Sequence, residues 1–75
     1  MLRTYFLDVK ADDGTLNRFD VRFALDGEAI EHSKQLAASL RLRHFNGHPG
    51  LIIEVIDPSS RKIHKEIVYP KNEQE

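Results

Sequence analysis

The sequence predicts an α+β fold of the order strand, strand, helix, strand, strand (ββαββ), with one helix packed on a four-stranded, mainly antiparallel sheet. Three observations predict it: segments of β-favouring residues lie on both sides of the chain's middle, one long segment between them has helical periodicity, and Gly- or Pro-containing turns separate the segments. The strand order 2-1-3-4 is favoured because it makes every neighbouring pair antiparallel. The order 2-1-4-3, with a parallel central pair, is the alternative.

The first two strands are predicted over residues 1–10 and 16–25, joined by the two-residue hairpin signal Asp13-Gly14. The second strand has a clean period of two, which predicts one buried and one solvated face. Its apolar face carries Phe19, Val21, Phe23 and Leu25, and its polar face carries Arg18, Asp20 and Arg22.

The helix is predicted over residues 27–45, with Asp26 as its N-cap. Asn46-Gly47 forms a typical C-cap pair, and Pro49 prevents continuation, so the basic stretch around it is interpreted as a helix stop with Gly47 at positive φ. The apolar face at a period of 3.6 consists of Ala29, Ile30, Ser33, Leu36, Ala37 and Leu40.

The last two strands are predicted over residues 51–57 and 61–69, with a turn at Asp57-Pro58-Ser59-Ser60. Residues 1–70 are predicted to form a single domain, and the polar residues 71–75 a frayed tail. The predicted core consists of Phe19, Val21, Phe23 and Leu25 packed under Ile30, Ala37 and Leu40, together with Leu7, Val9, Ile53 and Ile67.

Composition narrows the function classes. The chain has 75 residues and no cysteine, so disulfides and cysteine-based zinc sites are excluded. Eleven Lys and Arg against twelve Asp and Glu give a net charge of −1, which provides no general attraction to nucleic acid or anionic lipid. The longest apolar run is far too short to span a membrane, and a secretory signal pattern is absent, so a cytoplasmic protein is expected.

The reactive side chains do not form a recognisable catalytic or metal site in the sequence. His44 and His48 have a possible metal-ligand spacing, but the predicted helix ends between them, and His32 and His64 belong to other elements. Four serines, at positions 33, 39, 59 and 60, lack a histidine and an acid at an informative spacing. A non-enzymatic protein without metal or cofactor is therefore expected.

Two binding functions are predicted. The favoured one is protein–protein contact, with a symmetric homodimer formed through the sheet face opposite the helix. That face is predicted to carry a continuous apolar patch of Leu2, Phe6, Ile52 and Ile56, with Val68 at its margin. The alternative is a weak nucleic-acid-binding or regulatory module that uses Arg41, Arg43, Arg61 and Lys62. Each of these basic clusters is expected to face acids of the same domain, at Asp12 and Asp13 or at Glu28 and Glu31, which disfavours it.

The segments "LDGEAIEHSKQLA" and "IEVIDPSSRKIHKEIVYP" resemble a family of short bacterial proteins of unknown function from soil and plant-associated bacteria, including rhizobia. The resemblance covers nearly the whole chain, except that the loop around "NGHPG" is longer and more basic than in the family pattern. It implies the ββαββ order and no particular activity. The matching residues are Tyr5, Phe6, Asp13, Gly14, Asp26, Glu28, Ala29, Ile30, Leu36, Ala37, Val55, Asp57 and Arg61.

Overall fold

Four strands and one helix follow each other in the predicted order. A computed structural model describes residues 1–12, 14, 16–42 and 50–70. The elements are β1 (Arg3–Lys10), β2 (Leu16–Phe23), α1 (Asp26–Leu42), β3 (Ile52–Ile56) and β4 (Lys62–Ile67). The strands form one sheet in the order β2-β1-β3-β4, and every neighbouring pair is antiparallel. The predicted order 2-1-3-4 is therefore confirmed, and the alternative with a parallel central pair is wrong.

The strand register decides which residues share a face of the sheet. Leu7 lies opposite Phe19 of β2 on one side and opposite Val55 of β3 on the other. Directly opposed residues in antiparallel strands point to the same face, so these three side chains all lie on the side that α1 covers. The intervening residues, including Phe6 and Ile56, lie on the second face, which we call the open face.

The connection of the first hairpin has five residues, the length that the predicted strand bounds imply, and is longer than a two-residue turn at Asp13-Gly14 alone. The last cross-strand pair is Lys10 with Leu16, which leaves five residues between the strands. The N–H group of Gly14 donates to the carbonyl oxygen of Ala11 at 3.0 Å, and Gly14 has a φ of 91°. A hydrogen-bonded turn therefore runs from Ala11 to the left-handed Gly14, and β2 begins to pair with β1 at Leu16.

The start of α1 differs from the predicted capping by one residue. Asp26 is the first helical residue, because the N–H group of Ala29 donates to the carbonyl oxygen of Leu25 at 3.4 Å, which makes Leu25 the N-cap. The carboxylate of Glu28 accepts the N–H groups of Ala24 and Leu25 at 3.0 and 3.1 Å, as in half of a capping box. The Asp26 carboxylate is thus free to accept a hydrogen bond from the hydroxyl group of Tyr5 at 2.6 Å.

The far end of α1 is described as far as Leu42. The predicted extension to Phe45, and the predicted Asn46-Gly47 cap with its positive φ, lie outside the described residues. The chain is described again from Gly50, which has a φ of 71° and donates its N–H group to the carbonyl oxygen of Pro70 at 3.2 Å. A Cβ atom at this position would also collide with the carboxylate of Asp12, so only glycine fits here without strain.

Small residues line the face of α1 that packs on the sheet. Ala29, Ser33 and Ala37, spaced four residues apart on one face, are fully buried. The Ser33 hydroxyl group donates to the carbonyl oxygen of Ile30 at 2.6 Å, so its burial leaves no polar atom unpaired. The largest fully buried side chains beneath the helix come from β1 and β3 and are Tyr5, Leu7, Ile53 and Val55.

The predicted core is correct for the inner strands and for Val21 and Phe23 of β2, and wrong for Phe19, Leu25 and Ile67. Phe19, Leu25 and Ile67 are 49%, 65% and 51% exposed, whereas Val21 and Phe23 are half-buried against the core. A helix with its side chains is about 10–12 Å wide, which covers about two strands spaced about 4.8 Å apart. Leu25 lies at the helix start, and Ile67 lies opposite Ile52 on the open face.

Candidate functional site

The predicted interaction patch on the open face is not continuous. Phe6 and Ile56 lie directly opposite each other in β1 and β3 and are half-buried, while Leu2 is 62% exposed just before β1. Ile52 lies four residues from Ile56 in the same strand, opposite Ile67 of β4. Two separate apolar pairs, Phe6 with Ile56 and Ile52 with Ile67, therefore stand where a single patch was predicted.

A row of charged residues separates the two apolar pairs. Asp8 and Glu54 lie opposite each other at the middle of the inner strands, on the same face as Phe6 and Ile52 because of the period of two. Both are buried, at 4% and 6% exposure. Asp8 accepts two hydrogen bonds from the Arg18 guanidinium group, at 2.6 and 2.8 Å.

The two buried carboxylates remain ionised because cations lie over them. The Arg18 hydrogen bonds hold the pKa of Asp8 below its usual value. The ammonium groups of Lys10 and Lys62 lie 2.7 and 3.0 Å from the carboxylate of Glu54 and lower its pKa in the same way, with Lys10 contributing most. The centre of the open face is thus an ion-pair network with satisfied charges, which is a poor apolar contact surface.

Val68 lies in the core and not at the margin of the open face. Its side chain is 4% exposed and packs with the buried residues on the helix side of the sheet. Its N–H group donates to the carbonyl oxygen of Leu51 at 2.9 Å, just beyond the end of β4. Val68 therefore adds no exposed apolar area to the predicted patch.

Three of the four residues predicted for nucleic-acid contact bind other groups of the same chain. Arg41 donates to the carbonyl oxygens of Val68 and Ile67 at 3.1 and 3.0 Å. Lys62 pairs with Glu54, and Arg61 lies 3.4 Å from the carboxylate of Asp57, so both form ion pairs with acids other than Glu28 and Glu31. Arg43 and Asp13 lie outside the described residues. A shared basic surface formed by these side chains gains no support.

The histidines that the structure describes have partners other than metal ligands. The ring of His32 packs against Phe23 with 5.5 Å between centroids, and His64 lies 2.9 Å from a carboxylate oxygen of Glu66. His44 and His48 lie outside the described residues. Within the described ranges, three or more potential ligand side chains do not come together at any point.

The remaining buried polar groups have structural partners. Asp57 is 5% exposed, and one of its carboxylate oxygens accepts the N–H groups of Ser59 and Arg61 at 2.9 and 2.8 Å, which closes the turn between β3 and β4. These bonds, with that from Arg61 first, lower the pKa of Asp57. The carboxylate is therefore used to shape the turn, in which Ser60 takes a φ of 69°.

Sequence reasoning missed the free edge of β2. Strand β2 pairs with β1 without interruption through eight residues, and its other edge faces outward because β2 is the first strand of the sheet. Phe19 and Leu16 are 49% and 54% exposed along it, and Asp20 and Arg22 are exposed on the open face. The signal was present in the predicted order 2-1-3-4, which already placed this aromatic strand at the edge of the sheet.

Two further observations concern the chain as a whole. The helix that the structure describes, α1, is neither long nor apolar enough to cross a membrane. The proposed bacterial family stays a prediction based on the motifs quoted above. Comparison of the chain with protein-family models, curated proteins and solved structures gave no match.

Proposed function

We propose that this chain is a small non-enzymatic protein that acts through protein–protein contacts, by associating with a second copy of itself. The contact surface is the free edge of β2 rather than the open face. The observation that carries the proposal is the pair Leu7 and Phe19. These residues lie opposite each other on the helix side of the sheet, yet Leu7 is fully buried and Phe19 is half exposed.

An unpaired strand edge favours association because its outward N–H and C=O groups can form a further ladder of hydrogen bonds. Strand β2 offers eight regular residues for this purpose, with Val21 and Phe23 half-buried beside the exposed Phe19. A strand added at this edge would cover the aromatic ring of Phe19 and continue the sheet. The ionic centre of the open face offers a partner neither unpaired backbone nor continuous apolar area.

The test is Phe19→Lys, read by sedimentation from micromolar to millimolar concentration. A lysine on an edge strand opposes pairing because its charge would have to be desolvated. Ile67→Lys is the matched control, since Ile67 has nearly the same exposure, 51% against 49%, and lies on the opposite outer strand. We expect the parent and Ile67→Lys to dimerise and Phe19→Lys to remain monomeric, with circular dichroism showing that all three are folded.

Three outcomes contradict the proposal. A parent that is monomeric throughout the concentration range excludes self-association altogether. A dimer that survives Phe19→Lys but is lost in Ile52→Glu places the contact on the open face, where Ile52 lies. A dimer that survives Phe19→Lys but dissociates at high salt would also point to a charged contact surface elsewhere.

A further inference from the structure

The residues of β2 specify how a second copy would pair with it, and this step rests on the proposed self-association. We infer that two copies join their β2 strands antiparallel about a two-fold axis at Val21, which extends the sheet to eight strands. The axis stands perpendicular to the sheet, so the helix side of one copy continues into the helix side of the other. Such closed two-fold assemblies are the commonest among homo-oligomers.

Geometry leaves only a few possible registers. Residues directly opposed in antiparallel strands must point to the same face, and the two-fold axis leaves the faces unchanged. The axis must therefore pass between one residue and its own copy. An axis at Arg18 opposes two arginines and is excluded by their charge, which leaves Phe19, Asp20, Val21 and Arg22 as candidates near the middle of β2.

Charge excludes two of these candidates. An axis at Asp20 opposes two aspartates and also places Arg18 against Arg22 of the second copy. An axis at Arg22 opposes two arginines. Like charges directly opposite each other on neighbouring strands are destabilising.

The axis at Phe19 matches the side chains of the two strands poorly. It places Val21 against Asn17 of the second copy and Arg22 against Leu16, so apolar residues meet polar ones on both faces. It would also match Asp20 with Arg18, whose guanidinium group already forms two hydrogen bonds to Asp8.

The axis at Val21 matches every central pair. On the helix side Val21 meets its own copy, and Phe19 meets Phe23 of the second copy twice, once on each side of the axis. On the open face Asp20 meets Arg22 of the second copy, again twice. Among the contacts of the described residues, Asp20 and Arg22 have no ion-pair partner within their own chain, so both are available.

The remainder of the fold leaves room for this pairing. After Phe23 the chain enters α1, which packs above the sheet and leads to β3 on the far side of β1. The helix therefore turns away from the free edge of β2. The exposed half of Phe19 would be covered by Phe23 of the second copy, which itself packs against His32 of its own helix.

A charge exchange between two variants tests the register. Arg22→Asp gives each copy two acids in the paired segment, and Asp20→Arg gives each copy two arginines. We expect each variant alone to dimerise roughly tenfold more weakly than the parent, because two attractive pairs become repulsive. An equimolar mixture should recover the parent's affinity as a heterodimer, since all four charges then meet an opposite partner.

Matched controls separate the register from net charge. Lys34→Asp and Glu31→Arg change the net charge by the same amounts on the exposed side of α1 and should dimerise as the parent does. The single chain carrying both Asp20→Arg and Arg22→Asp should also dimerise as the parent does. Recovery in the mixture shows in addition that both single variants are folded.

The outcomes distinguish the register from the proposed function. If the parent dimerises and Phe19→Lys abolishes the dimer, but Arg22→Asp and Asp20→Arg have no effect, the register at Val21 is wrong while self-association through β2 stands. If the two variants weaken the dimer and their mixture does not restore it, the register is likewise overturned. If the parent never dimerises, both proposals fail together.

Discussion

Strands β2 and β4 are the two outer strands of one sheet, and they differ in how far they can accept a further strand. Strand β4 has six residues and contains a register shift, in which Ile63 is inserted between His64 and Lys62 opposite two consecutive residues of β3. The Arg41 guanidinium group also binds two carbonyl oxygens at its end. A short strand, a bulge and a covered end are the common protections of a sheet edge.

Strand β2 lacks these protections along Leu16–Phe23. Its eight residues pair with β1 in an unbroken register, and a half-exposed phenylalanine lies at its centre. The two outer strands of one sheet can therefore differ in how readily their free edges pair with a further strand. The features of β4 oppose pairing with a further strand, whereas the free edge of β2 is compatible with it.

The largest expected effect is a difference in the free energy of unfolding between a substitution in inner strand β1 and one at the free edge of β2. Leu7→Ala should lower the free energy of unfolding by about 2–5 kcal/mol, since it leaves a cavity at a fully buried position. Phe19→Ala, directly across the register from it, should cost the monomer about 1 kcal/mol, because half of that ring already meets water. Urea denaturation at a concentration where the protein is monomeric measures both, and equal losses would show that the helix covers β2 after all.

Half-exposure also changes the expectation for Phe23. A cost of about 3–5 kcal/mol follows from treating it as a fully buried ring. Phe23 is half-buried and packs against His32 of α1, so the cost of Phe23→Ala should fall between those of the two variants above. The period of two in β2 predicted correctly which side chains face the helix. It could not show how far the helix reaches, because that depends on where α1 crosses the sheet.

The prediction for the open face was limited in a similar way, because a sequence pattern assigns side chains to a face but does not give the register between strands. The pattern of β1 and β3 placed Phe6, Ile52 and Ile56 on one face correctly. It could not show that Asp8 and Glu54 come to lie side by side, since this depends on the register between two strands separated by the helix. Strand order, sheet faces and the small residues of the helix were therefore predictable from the sequence, whereas the interruption of the patch required the three-dimensional pairing.

The second effect concerns the ion pairs that tie each outer strand to its inner neighbour. Arg18 links β2 to Asp8 of β1 with two hydrogen bonds, and Lys62 links β4 to Glu54 of β3 with one ion pair. Asp8→Asn should therefore cost about 1–2 kcal/mol, because it disrupts the two hydrogen bonds from Arg18. Glu54→Gln should cost less, because its ion pairs with Lys10 and Lys62 each involve a single, roughly half-exposed ammonium group. Chemical denaturation at neutral pH gives the two values, and a larger loss in Glu54→Gln would reverse the assignment.

Acid should act on the same two links. Both carboxylates have a pKa below the ordinary value, so their stabilisation is complete above the unfolded-state values of about 3.9 for Asp and about 4.3 for Glu. It is lost as the pH falls from there through the lower folded-state pKa values. The free energy of unfolding should thus decline between neutral pH and strong acid, and Asp8→Asn should flatten part of that decline. A decline of unchanged size in Asp8→Asn would assign it to other carboxylates, such as Asp57.

A smaller effect is expected at the covered end of β4. Arg41→Ala removes two hydrogen bonds from a charged donor to backbone oxygens and should cost about 0.5–1.5 kcal/mol. The register shift within β4 remains, so the variant should sediment as the parent does. New association in Arg41→Ala that Phe19→Lys does not abolish would show that the guanidinium group was the main protection of this edge.

The smallest effects are expected at the two turns that attach the outer strands. Gly14 has a φ of 91° before β2, and Ser60 has a φ of 69° before β4. Gly14→Ala should cost about 1 kcal/mol because the left-handed region is strained for a residue with a Cβ atom. Ser60→Gly should instead be neutral or stabilise by about 0.5 kcal/mol, because the relief of backbone strain offsets or exceeds the cost of the higher unfolded-state entropy of glycine. Thermal unfolding resolves the opposite signs, and a large loss in Ser60→Gly would contradict them.

The hydrogen bond from Tyr5 to Asp26 also allows the contact between α1 and the sheet to be followed by the ultraviolet absorbance of Tyr5. The chain contains two tyrosines and no tryptophan, and Tyr5 is fully buried between β1 and the first residue of α1. The bond to Asp26, together with burial, raises the pKa of Tyr5, so the contact is stabilising below the ordinary phenol value of about 10 and is lost as the pH rises above it. In a Tyr69→Phe variant, which leaves Tyr5 as the only tyrosine, ultraviolet absorbance of the phenolate in alkali would therefore follow the separation of helix and sheet within one subunit, independently of whether two subunits are joined.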